Sequence, residues 1–101
     1  MAKQTPITKS ARMEDCTIRI PGVCNFNQET TIFAHLPGVR FGHGMAHKVL
    51  NMFGAYSCSS CHDLVDGRTR SDYTADQIRI MHLDGVIETQ MRLIEKGLVK
   101  I

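Results

Sequence analysis

Four cysteines stand in two pairs, Cys16-x7-Cys24 and Cys58-Ser-Ser-Cys61, with His35 between the pairs and His62 directly after the second. Two cysteine pairs of this kind can close one tetrahedral metal site, because zinc takes four ligands delivered by two turns of chain. A four-thiolate site is coordinatively saturated and binds no water, so its role is structural. The histidines are then left over for chemistry. A neutral imidazole at His35 can take a proton from water attacking a phosphodiester, and His62 can serve a second metal or a hydrogen bond. The plainer alternatives are a structural His35 and a His62 that sits on a helix surface or replaces one thiolate on the zinc.

Paired disulfides are the rival use of four thiols. The N-terminus, MAKQTPITKSARMED, has no apolar export segment, so the thiols are expected to stay reduced, which favours metal. Size argues the same way. A chain of 101 residues is one domain that buries only about 60–65% of its unfolded surface. A structural zinc adds roughly 10–16 kcal/mol of apparent binding free energy, enough to decide whether such a chain folds.

The elements that must position these groups follow from local pattern. Residues 1–13 read as a basic, flexible arm interrupted by Pro6, and residues 14–101 as a single zinc-stabilised domain. Residues 16–20 alternate like a short strand, and Pro21-Gly22 turns the chain so that Cys24 returns near Cys16. Residues 30–34 are β-branched and apolar, a second strand ending at His35. Residues 37–48 form a long loop with three glycines and a proline, a length that is usually functional or mobile. Residues 49–57 are apolar and suit either a strand or a short helix. Ser59 or Ser60 caps a short helix running through Asp66 and ended by Gly67. Thr74-Ala-Asp-Gln77 is a capping box for a long helix, whose stripe of Ile80, Leu83, Ile87, Met91 and Ile94 is expected to pack on the zinc-stapled half. Gly97 closes that helix, and residues 98–101 return as a small strand. The fold class is therefore α+β.

Net charge is +2. Residues 1–50 hold six Lys/Arg against three acids, +3, and the remainder six against seven, −1. A mildly basic N-terminal half suits a phosphate-backbone partner, with Arg12, Arg19, Arg40 and Lys48 as candidate contacts. No run approaches the ~18 apolar residues of a membrane span. His43 and His47 flank the loop and suit a ligand or, with Lys48, a phosphate contact, although solvent-facing loop histidines have the same appearance. His82, between Ile80 and Leu83, reads as structural or exposed.

The order of cysteine pair, histidine at a strand end, loop, cysteine pair and helical histidine resembles HNH, or ββα-metal, endonucleases with two zinc knuckles. Over the whole chain the resemblance is closer. CTIRIPGVCN (16–25), ETTIFAH (29–35) and CSSCHD (58–63) are similar to the prophage-encoded YbcO family of nucleases, which also resembles the nuclease domain of the phage Ref recombination protein. The resemblance implies an HNH-like ββα-metal domain with a long C-terminal helix. Cys16, Cys24, Cys58 and Cys61 take the structural-zinc positions. His35 takes that of the general base, and His62 that of the ligand to a catalytic Mg²⁺ or Mn²⁺. Asn51 is the candidate central residue. Many HNH enzymes carry an acidic metal ligand just before the base; here that position is Ala34.

The implied function is metal-dependent hydrolysis of DNA phosphodiester bonds in recombination or DNA processing. DNA and recombination proteins are the expected partners, and a bacterial host's cytoplasm the expected location. The alternative is a non-catalytic zinc module that binds DNA or a recombination protein.

Overall fold

The computed structural model describes residues 5–36 and 51–101. Two short strands, β1 (Ile32–His35) and β2 (Gly54–Ser57), pair antiparallel, with Ile32 opposite Ser57 and His35 opposite Gly54. The ladder runs one step further, where the Leu36 N–H donates to the Phe53 carbonyl at 2.8 Å. A short helix, α2 (Ser59–Val65), follows β2 directly. The long helix α3 (Ala75–Glu95) comes last. At its start the expected capping box is present: the Gln77 N–H donates to Thr74 Oγ1 at 3.1 Å, and the Thr74 N–H to Gln77 Oε1 at 2.8 Å. It ends at the cap Lys96, followed by Gly97 at φ 75°, the left-handed step that a glycine takes without a Cβ clash. This α+β architecture agrees with the sequence reading. Among the described residues, no helix is long and apolar enough to cross a membrane.

Helix α3 packs on β2, but of the expected stripe only Leu83 packs against the core. Ile80, Ile87 and Met91 are 58%, 59% and 62% exposed, and Ile94 is exposed as well. The buried face is His82, Gly85, Val86, Thr89 and Leu93, on the opposite side of the helix. The reason lies in what α3 covers. A two-stranded sheet leaves edge groups unpaired, and buried backbone N–H and C=O groups need partners. Thr89 Oγ1 accepts the Tyr56 N–H at 3.0 Å. Thr17 closes the same edge: its N–H donates to the Tyr56 carbonyl at 2.8 Å, and its hydroxyl lies 3.0 Å from Thr89 Oγ1. Gly85 lets the helix approach this closely, since a Cβ there would stand 2.9 Å from Ile18 Cγ1 and 3.2 Å from the Ala55 Cβ. The core face thus joins two apolar side chains, Val86 and Leu93, to three residues chosen for hydrogen bonding or small size, His82, Gly85 and Thr89, and a hydrophobicity pattern points away from it.

Four further expectations are corrected. Residues 5–13 are not a trailing arm. Thr5 caps a one-turn helix, α1 (Pro6–Lys9), Ala11 is buried, and the Ser10 hydroxyl lies 2.8 Å from the Tyr56 hydroxyl. Residues 16–20 and 98–101 are irregular rather than strands, the first because its amides turn toward sulfur, as described below. The cap of α2 is Cys58 itself, whose sulfur accepts the Cys61 N–H, in place of Ser59 or Ser60.

Substitution Gly85→Ala is therefore expected to destabilise the protein by about 1–3 kcal/mol through overpacking, although alanine favours a helix. Ile87→Lys on the outer face should stay within about 0.5 kcal/mol of wild type. Urea unfolding of both variants checks this, and the opposite ranking would refute the assignment of faces.

Candidate metal centre and active site

The Sγ atoms of Cys16, Cys24, Cys58 and Cys61 all lie within 4.8 Å of one another, and Cys24 and Cys58 are 3.8 Å apart. A disulfide would need about 2.05 Å. A tetrahedral site with metal–sulfur bonds of about 2.3 Å has sulfur–sulfur edges of about 3.8 Å. The cluster therefore fits a soft tetrahedral cation, and the four thiols are free of disulfides.

Backbone amides converge on these sulfurs. The Arg19 N–H points at Cys16 Sγ, and the Cys61 N–H at Cys58 Sγ, each at 3.4 Å. The Phe26 N–H serves Cys24 and the Ile20 N–H serves Cys61. The left-handed backbone at Arg19 (φ 45°) and Phe26 (φ 55°) follows, because each residue turns its amide back to a cysteine two or three positions earlier. The proton affinities of the thiols are unequal. The Cys61 S–H donates to Cys16 and, with the backbone amides, holds the Cys16 thiol down at about 5. Burial pushes Cys24 up to about 11, and its role as donor to Cys16 raises Cys61. Four adjacent thiolates need a positive charge among them.

His35, at the end of β1, lies beside Asn51, just before β2: Asn51 Oδ1 is 3.2 Å from His35 Nε2. The Asn51 amide in turn reaches Thr5 Oγ1 at 3.3 Å. Phe33 packs edge-on to the His35 ring at 5.1 Å. When the Asn51 oxygen accepts a proton held on Nε2, Nδ1 keeps the basic lone pair. His35 also borders an open cleft of about 820 Å³, walled by α1 and the following turn with Lys9, Arg12 and Met13, and floored by Ile32 and Phe33. Arg12 thus shares a cleft with His35. Arg19 does not; it donates to the Cys16 carbonyl at 3.1 Å and pairs with Glu88 on α3. Arg40, His43, His47 and Lys48 lie outside the described residues.

His62 follows Cys61 on α2. Its Nε2 is 3.1 Å from Asp66 Oδ2, one turn later, and its Nδ1 accepts from Arg68 at 3.0 Å. Arg68 also pairs with Asp63 and Asp66, each at 3.1 Å. Asp66 is a carboxylate that the sequence reading took only as a helix end. Its i, i+4 spacing from His62 was the available signal. His82 is 2% exposed, and its Nε2 donates to the Ala34 carbonyl at 3.0 Å. Burial lowers its proton affinity; the bond to Ala34 and the charge of Asp66 oppose this, while His62 and His35 act with burial.

Residues 5–98 match the family model described as "Putative nuclease YbcO". Two relatives, "Putative nuclease YbcO" of Escherichia coli (strain K12) and "Putative nuclease ybcO" of Enterobacteria phage 82, are each 36% identical over 96 residues, covering 93% of this chain and 96% of theirs. A solved structure of a "putative bacteriophage protein" from Escherichia coli K-12 aligns with a TM-score of 0.73 and 34% identity, covering 90% of this chain and 99% of that one.

The direction of the His82 shift sets a pH dependence. Its proton affinity is lower folded than unfolded. Above the unfolded value of about 6.5 both states are neutral and its contribution is complete. As pH falls below about 6.5 the unfolded state binds the proton first, so stability falls, by up to about 1.4 kcal/mol per pH unit. Unfolding free energies measured from pH 7.5 to 5.5 should show a steeper acid loss in wild type than in His82→Asn. Equal slopes would refute this.

Proposed function

The chain belongs to the YbcO family, and from that premise we propose that it is a metal-dependent DNA endonuclease that hydrolyses phosphodiester bonds. The observation that carries the reading is the pairing of Asn51 with His35, which lines a cleft together with Lys9, Arg12 and Glu29. The order β1, β2, α2, with His35 ending the first strand and His62 on the helix, supports an HNH-like arrangement.

In this reading the four-cysteine cage holds zinc and takes no part in bond breaking. His35 accepts the proton of the attacking water on Nδ1, while the Asn51 oxygen holds the proton on Nε2 and fixes the ring. A general base so placed contributes about 10²–10⁴-fold. Lys9 and Arg12 receive the phosphate backbone and position the strand without reading its sequence. His62 and Asp66 offer nitrogen and oxygen donors on one face of α2. A Mg²⁺ or Mn²⁺ ion held there supplies neutralisation of phosphate and leaving-group charge. Asp66 answers the carboxylate that Ala34 does not supply. Arg68 now bonds both donors, so it competes with the ion for them.

That competition also favours a second reading, a zinc module that binds DNA without cutting it, because both His62 nitrogens already have partners. Phage and prophage context, recombination partners and a bacterial cytoplasmic setting belong to the proposal in either case.

The purified protein should carry about one zinc ion per chain and nick DNA only when Mg²⁺ or Mn²⁺ is added. His35→Ala should keep its zinc and its melting temperature yet lose nicking by about 10²-fold or more. Undiminished cleavage by that variant would remove His35 from the base role. Binding without nicking under any metal would support the second reading. Titration with Mn²⁺, followed by electron paramagnetic resonance, should show weaker binding in Asp66→Ala and tighter binding in Arg68→Ala.

A further inference from the structure

We infer that His82 and Gln90, two polar side chains of α3, are positioning residues that set the distance between His35 and Asn51. The inference rests on the proposed role of that pair. His82 Nε2 donates to the carbonyl of Ala34, the residue before His35. The Gln90 side-chain amide donates to the carbonyl of Met52, the residue after Asn51. Both bonds span long sequence separations, 48 and 38 positions, and both start from one helix. Eight residues of helix hold the two donors about 12 Å apart along a rigid axis.

Between these anchors the Leu36 N–H donates to the Phe53 carbonyl. His35 therefore lies between two tied residues, Ala34 and Leu36. Asn51 is followed at once by two more, Met52 and Phe53. The main chain on both sides of His35, and directly after Asn51, is located by α3 and the strand ladder.

A fully covered imidazole is a costly way to fill space, since burying it requires a partner for its N–H. Leucine would fill the volume but would remove the tie from α3 to the Ala34 carbonyl, leaving that oxygen only its bond within the strand ladder. The bond defines the ring's use here: a carbonyl can only accept, so His82 is held as the Nε2–H tautomer. Its neighbour His35 has its own Nε2 directed at Asn51. A displacement of about 1 Å between reacting groups costs on the order of 10²-fold in rate, so such anchors matter for chemistry more than for folding.

The test uses the zinc-loaded full chain and three variants. His82→Leu and Gln90→Met keep the volume and remove the donor; His82→Gln keeps an amide donor. Imidazole ¹H–¹⁵N NMR reads the His35 tautomer, and nicking assays read kcat and KM. Wild-type His35 is expected as a single Nε2–H tautomer. In His82→Leu and Gln90→Met it should become a mixture, with kcat lower by about 10- to 100-fold and KM unchanged. His82→Gln should restore the single tautomer and bring kcat to within about threefold of wild type. An unchanged His35 tautomer in folded Gln90→Met and His82→Leu would overturn the inference. If His82→Leu does not fold, Gln90→Met alone decides. A wild type that cuts no DNA, with the tautomer still shifting in the variants, would defeat the nuclease reading and leave the positioning role standing.

Discussion

The convergence of four thiols on one point is the constraint from which the rest of this small structure follows. It draws the turn around residues 16–24 onto the first turn of α2, and the backbone in between bends to suit the sulfurs. Arg19 and Phe26 accept left-handed conformations that residues with a side chain rarely take, because their amides are needed at sulfur. Segment 16–20 gives up strand pairing for the same reason. Only the Thr17 N–H continues to the sheet, at the Tyr56 carbonyl. Such a cluster is unfavourable as bare thiolates and would be favourable around a cation, which would couple folding to metal capture.

The second frame is α3, whose inner face does polar work. Thr89 serves the outer edge of β2, His82 the Ala34 carbonyl and Gln90 the Met52 carbonyl, while Gly85 gives room for contact. A sheet of only two strands has as many edges as strands, so something must meet its unpaired groups. The N-terminal segment is fastened to the same helix through Glu14 with Lys96 and Arg92, and through Arg19 with Glu88. These ion pairs are partly exposed and add little stability individually. Their effect is to place α1, with Lys9 and Arg12, beside His35.

What could be read from the chain in advance divides along physical lines. The cysteine spacing, the capping box at Thr74 and Gln77, the strand ending at His35 and the glycine stop at Gly97 are local signals, and each appears in the structure where the pattern placed it. The inner face of α3 was illegible because its side chains are chosen for partners far away in sequence. A period of 3.6 finds the greasiest face, and here that face is outside. Residues 5–13 looked like an arm because they are polar. Their helix rests on a local cap at Thr5, and their docking on long-range contacts, the burial of Ala11, the Ser10–Tyr56 hydroxyl pair and the Asn51–Thr5 bond. The role of Asp66 is hidden for a related reason: as the last residue of a short helix it reads as a cap, and only the fold shows it facing His62.

These two frames hold different halves of the candidate site. His62 adjoins Cys61, so its place is inherited from the thiol cluster through one turn of α2. His35 takes its place from the strand ladder and α3, and no bond of the cluster reaches it. The halves meet where α2 and α3 pack against β2. A chain of this size cannot surround a site with a deep hydrophobic core. It can hold groups still by tying their main chain to something stiff, and it does so twice, with sulfur on one side and a helix on the other. The two histidines of the candidate site, His35 and His62, are then free to remain partly exposed.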